Sequence, residues 1–170
     1  IDFGLENINP EESGQTLTEN AEIKARAYLG KVDMPIISND TGFYVEGEGL
    51  IDAPKRAALG NASEDQLTKE QIAEAMLTHW KKIATKHGGQ VDAAWEEEFV
   101  LLDTNGEKRT SSSRRDVILT NKEFGKFHIQ FPLRALYISK TTGKPAVEHT
   151  HEEENLEMQP VIKALSELLS

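Results

Sequence analysis

The chain has 170 residues, no cysteine and a formal charge of −10, from 19 Lys and Arg against 29 Asp and Glu. Disulfide frameworks and thiolate metal sites are excluded by the missing thiols, and so negative a mean field opposes binding to a nucleic-acid polymer or an anionic membrane. The length suits one domain burying roughly two-thirds of its unfolded surface, no apolar run approaches the ~18 residues of a membrane helix, and without a signal-peptide pattern the expected location is cytoplasmic.

Residues 16–30 carry the first helix signal, because Thr16 with Glu19 three positions on makes a capping box and Gly30 supplies a stop. Leu17, Ala21, Lys24 and Tyr28 recur at four, three and four, which sets Lys24 in the middle of an otherwise apolar face. A lysine so placed either snorkels to water or reaches an anion. Residues 35–38 and 43–45 read as two short strands flanking a polar turn, Asn39-Asp40-Thr41-Gly42. An aspartate closing a buried strand sits where open α/β sheets place their ligand crevice; it either holds a metal there or makes an Asx-turn with its own backbone.

Residues 63–88 read as one long amphipathic helix, with Ile72, Met76, Trp80 and Ile83 on its stripe and Gly88-Gly89 ending it. Residues 94–103 and 109–120 are strands by composition, and Asn105-Gly106 between them signals a tight hairpin. Residues 127–139 supply more strand, with Pro132 pointing to an edge or a bulge. A last helix spans residues 152–169, its start delayed or kinked by Pro160, with Leu156, Val161, Leu165 and Leu168 near one stripe. Interleaved helices and strands give an α/β class, a mixed twisted sheet flanked by helices, in a single domain over residues 1–170.

Several polar clusters need weighing. Glu19 is accounted for by capping alone, and the paired acids Glu11 and Glu12 face solvent unless a partner lies near. His149 and His151 share one side only on a strand, and with no third ligand at a suitable spacing they make no metal site. Lys108-Arg109 and Arg114-Arg115 lack the interleaved aromatics that single-stranded nucleic acid requires, so they read as a solvated hairpin.

Two linked stretches resemble something known. Glu11, Gly14, Thr16, Glu19, Asn20, Ala21, Lys24 and Ala25, followed by Asp40, Thr41 and Gly42, resemble the core signature of the inosine triphosphate pyrophosphatase family, which hydrolyses non-canonical purine nucleoside triphosphates. The resemblance implies that Asp40 is general base and metal ligand and Glu11 the other carboxylate on Mg²⁺. It implies that Lys24 contacts the triphosphate, that Thr41, Gly42 and Phe43 line the nucleotide, and that Lys55 takes the place of a further basic ligand contact. A nucleoside triphosphate would be the partner, Mg²⁺ the cofactor, monophosphate and pyrophosphate the products, and a homodimer the family's usual state.

Three departures accompany the match. Nothing from Ile1 onward corresponds to the family's opening strand and phosphate loop, so the expectation is a domain lacking them. The family's Phe-Gly-Tyr-Asp-Pro type motif falls on Phe131, Pro132, Leu133, Arg134 and Ala135, with arginine where the aspartate stands. The family's tail aligns over residues 142–165 with Asn155 in place of its lysine and Gln159, Pro160 and Val161 in place of Ser-His-Arg. Retaining Glu11, Lys24 and Asp40 keeps part of the phosphate site, and the lost charge-assisted bonds are worth roughly 1.5–3 kcal/mol each. The alternative reading is a non-catalytic relative that binds a nucleotide or a protein on the same scaffold.

Overall fold

The computed structural model describes residues 8–170. In chain order it forms α1 (Leu17–Arg26), β1 (Ile36–Val45), β2 (Gly49–Ile51), α2 (Pro54–Leu59), α3 (Lys69–Lys86), β3 (Gln90–Leu102), β4 (Lys108–Thr120), β5 (Tyr137–Ser139), α4 (His151–Glu157) and α5 (Gln159–Leu169). Five strands hydrogen-bond in the order β2-β1-β3-β4-β5, giving the expected α/β class. β1 pairs antiparallel with β2, Tyr44 opposite Leu50, and β4 pairs antiparallel with β5, Ile118 opposite Ile138. β3 and β4 are joined by residues 103–107 alone, too short a link for a parallel crossover. The Asp103 carboxylate accepts from the backbone N–H groups of Asn105 at 2.9 Å and Glu107 at 2.8 Å, and Gly106 takes a φ of 82°, so the hairpin forms as the Asn-Gly signal predicts.

The described chain divides into two compact units. One runs to Thr41 and takes in Glu96–Arg114 and Pro160–Ser170. A core cluster in it is small: Ala21 and Ala25 of α1 lie against Val100 and Leu102 of β3, with Ile36 packed alongside. Alanines at this contact let the helix backbone approach the strands closely, which shortens the reach its other side chains need. The other unit, Gly42–Trp95 with Arg115–Gln159, has a larger core in which Phe43 meets Trp80 edge-on at 5.1 Å and Trp95 at 4.6 Å.

Four elements differ from the sequence reading. Residues 35–45 do not break at Asn39-Asp40-Thr41-Gly42; β1 is one continuous strand through them. The turn propensity of those residues yields to the place of β1 inside the sheet, where Asp40 and Gly42 are buried. The long helix begins at Lys69, not at residue 63, because Thr68 makes a capping box with Gln71 and residues 64–66 form only a 3-10 turn. Its buried positions are Ala73, Leu77, Trp80 and Ala84, a stripe rotated from the one expected, with Met76 and Ile83 at its margin. Of residues 127–139 only the last three are strand, since Pro132 opens a 3-10 turn over Pro132–Ala135. The final helix is two helices, α4 and α5, meeting at Met158 two residues ahead of Pro160, and Leu156 is exposed rather than on the buried stripe.

Candidate functional site

The site is built by two periodicities meeting. Along β1 the period of two puts Ile36, Ser38 and Asp40 on one face. Ile36 joins the Ala21 and Ala25 cluster, and the Ser38 hydroxyl donates to the Ala21 carbonyl, so this face lies against α1. Along α1, Lys24 follows Ala21 by three residues and therefore shares its side of the helix. The next inward position on the strand, Asp40, consequently meets Lys24.

The Lys24 ammonium lies 2.6 Å from Asp40 Oδ1 and donates to the Asn39 carbonyl at 3.1 Å. Glu12 Oε1 stands 3.4 Å from the same nitrogen. Asp40 is 7% exposed, and a carboxylate that deep requires an opposite charge; the Lys24 side chain, 27% exposed, supplies it. Lys24 thus reaches an anion rather than snorkelling away. Asp40 makes no Asx-turn, being held in the ladder with its carboxylate on Lys24.

The segment bearing Glu11 and Glu12 is fixed from the helix below. Thr16 caps α1 by accepting from Glu19 N–H at 3.1 Å, and Glu19 accepts in return from Gln15 N–H at 2.6 Å and Thr16 N–H at 3.2 Å. Buried Asn20 accepts from Gly14 N–H at 2.9 Å. A Cβ on Gly14 would stand 2.7 Å from that amide oxygen and 2.7 Å from Glu19 Cβ, so only glycine fits. Gly14, Thr16, Glu19 and Asn20 therefore act together as a mount for the acidic loop.

The chain matches no family model. Over 68 residues it is 32% identical to a dITP/XTP pyrophosphatase from Staphylococcus epidermidis, a stretch covering 38% of this chain and 35% of that relative, so the match spans about a third of the relative's length. Its structure superposes on a HAM1 protein from Coxiella burnetii with a TM-score of 0.74, over 98% of this chain and 82% of that one at 19% identity. The Staphylococcus aureus Ham1 protein gives 0.68 at 19% identity, over 95% of this chain and 79% of that one. The chain has the Ham1 fold. A nucleoside-triphosphatase, dITP/XTP pyrophosphatase, from Mycobacterium abscessus is similar too, at TM-score 0.69 and 17% identity over 92% of this chain and 76% of that one. The resemblance carried by residues 11–43 and the Ham1 fold agree.

Within this Ham1 fold the other sequence-predicted residues are placed as follows. Glu11 is exposed, and its neighbour Glu12 is the acid that reaches Lys24. Nothing in the sequence distinguished the two, because a loop has no periodicity to say which side chain turns inward. Thr41 follows Asp40 on the strand, its hydroxyl 3.3 Å from the Asn39 amide. Phe43, in the second unit, is fully buried against Trp80 and Trp95. Gly42 is buried, and Lys55, on α2, is paired with Glu64 at 2.6 Å. Arg134, standing where the family motif has aspartate, donates to Glu154 at 2.6 Å and to the Ala146 carbonyl at 2.8 Å, while Phe131 beside it is 61% exposed.

His149 and His151 form no metal site: His149 is buried on Thr142 and Glu157, and among the described residues no group of three His, Cys, Asp or Glu side chains could hold an ion. The Asp40 and Glu12 carboxylates, by contrast, point at a single cationic centre, the Lys24 ammonium. Two carboxylates around one point are a donor set that suits Mg²⁺, which keeps several waters and takes further oxygens from a phosphate.

Proposed function

We propose that the chain hydrolyses a nucleoside triphosphate of the non-canonical purine class to the monophosphate and pyrophosphate. The observation that carries this is the Lys24–Asp40 contact at 2.6 Å with Glu12 beside it, on the Ham1 fold. The dITP/XTP pyrophosphatase names of its relatives supply the reaction class. Asp40 is the general base that takes the proton of the attacking water, and its burial keeps bulk water from competing for that role. Lys24 holds the triphosphate as a point charge. Asp40 and the Glu11-Glu12 segment would hold Mg²⁺, which when bound neutralises charge on the phosphate oxygens. A two-fold dimer and a cytoplasmic location belong to the same reading, the first checked by sedimentation equilibrium.

The test is pyrophosphate release with Mg²⁺ from a panel containing dITP, ITP, XTP and the four ordinary nucleoside triphosphates. Asp40→Asn is expected to lower kcat by about 10²–10⁴-fold on the preferred substrate. Equal release by parent and variant, or none by the parent on any nucleotide, overturns the proposal. Arg134 favours one second reading. Because that guanidinium is engaged by Glu154 and Ala146, the motif that completes the family's base pocket is altered, which suits a relative that binds nucleotide without cleaving it. Saturable nucleotide binding by calorimetry with no pyrophosphate formed would select that reading.

A further inference from the structure

We propose that Lys24 is an exchangeable occupant of the cation seat: its ammonium and a divalent ion compete for the Asp40 and Glu12 carboxylates, so the ion enters only as Lys24 is released. This rests on the pyrophosphatase reading of the same site.

Lys24 Nζ has Asp40 Oδ1 at 2.6 Å, the Asn39 carbonyl at 3.1 Å and Glu12 Oε1 at 3.4 Å. These are three oxygens, two of them anionic, converging on one atom, which is the donor chemistry a hard divalent cation takes. A lysine that only bound phosphate would be directed by its site toward open solvent. Here, among the described residues, the ammonium's partners are the oxygens of the seat itself. The two cations cannot share those oxygens: side by side they repel, and the inward carboxylate, 7% exposed, is screened little by water.

The exchange also has a route. Lys24 is attached by a flexible four-carbon stem and is still 27% exposed, so its head can leave the carboxylates without α1 moving. The backbone on both sides is fixed, by the Thr16–Glu19 capping box on the helix and by the ladder on β1. The acidic loop is held by Asn20. Release therefore costs the ammonium its contacts with Asp40, Glu12 and the Asn39 carbonyl, together with a rotamer change. It delivers a free ammonium beside a newly seated ion, which is the state that a triphosphate with its own Mg²⁺ would bind. Without nucleotide the lysine keeps the buried aspartate neutralised, and the seat favours the ion weakly. Nucleotide tips the exchange, because it offers the displaced ammonium a new anion.

The experiment measures Mn²⁺ and Mg²⁺ affinity of the nucleotide-free full chain by calorimetry, and Mn²⁺ independently by electron paramagnetic resonance. Lys24→Met is expected to bind the ion about 10-fold or more tightly than the parent, the equivalent of one charge-assisted contact removed. Lys24→Gln, which keeps a donor for Asp40 but not the charge, should tighten binding as well, and it guards against Met disturbing the fold. Adding Asp40→Asn to either should abolish the gain. Affinity unchanged or weakened in both Lys24 variants overturns the exchange. No turnover is involved, so the two readings separate: a parent that releases pyrophosphate with no gain in the variants loses the exchange and keeps the reaction. A gain in the variants with an inactive parent does the reverse.

Discussion

At the scale of single residues, the described structure holds a second buried charge cluster that the proposed reaction does not use. Glu157 is buried with one oxygen 3.1 Å from His149 Nδ1 and the other 3.3 Å from the Tyr137 hydroxyl and 3.4 Å from Arg115. Burial and the Glu157 charge both push the Tyr137 phenol up, so it stays protonated and donates. Removing the carboxylate would take a buried counter-charge from Arg115 and the acceptor from the Tyr137 hydroxyl, and Glu157→Leu is expected to destabilise the chain by about 3–5 kcal/mol in urea unfolding. Glu98 behaves oppositely. Burial pushes its carboxyl up from 4.5, only partly opposed by the Thr18 hydroxyl at 3.2 Å, and neighbouring Glu96 adds to the rise. A raised folded value favours the neutral acid, so the contribution is present below about pH 4.5 and is lost as pH rises through the folded value. Glu98→Gln is therefore expected to melt higher than the parent at pH 7 and alike at pH 3. A variant less stable at pH 7 would show that the charge is wanted there.

At the scale of elements, the mount under the acidic loop can be tested apart from the charges it carries. Gly14→Ala forces a Cβ to within 2.7 Å of Asn20 Oδ1 and Glu19 Cβ, so either the loop or the cap must shift. The expected cost is about 1–3 kcal/mol of stability, an overpacking penalty, whereas Thr16→Ala, which loses the cap hydrogen bond without a clash, should cost about 1 kcal/mol. Denaturant midpoints of the two variants measure the difference; a Gly14→Ala protein as stable as the parent would mean the loop is not held by Asn20. These elements were the legible ones. The first helix ends at Arg26 rather than running to Gly30, but a capping box is local, so the start of α1 was readable from Thr16 and Glu19 alone, and the hairpin was readable from Asn105-Gly106 for the same reason. β1 was not. Asn39, Asp40, Thr41 and Gly42 are turn formers by local preference, and they run extended because β1 lies between β2 and β3 in the sheet, with the Asp40 carboxylate held on a lysine 16 residues earlier. Pro132 and Pro160 mark interruptions by their missing N–H, but local preference does not say that one opens a 3-10 turn instead of an edge or bulge and that the other follows a break into two helices.

At the scale of the whole molecule, charge is the property read most securely and the one with a kinetic consequence. The lysine in the apolar face of α1 was visible from spacing, yet its partner Glu12 was not, because no periodic pattern runs through residues 11–15. A formal charge of −10 means that a polyphosphate, itself anionic, meets a like-signed mean field before it reaches Lys24. Repulsion of that kind acts at distances beyond contact and is cut off by salt: the Debye length falls from about 30 Å at 0.01 M to about 8 Å at 0.15 M. The attraction of Lys24 acts within a few ångströms and is screened far less. Raising ionic strength over that range should therefore speed association of a fluorescent nucleoside triphosphate in stopped-flow, by several-fold, while its dissociation rate changes little. A basic nucleic-acid binder would slow over the same range as its counterions are competed away. If association here also slows with salt, the field at the site is positive despite the mean, and the polyphosphate is drawn in by more cations than Lys24 alone.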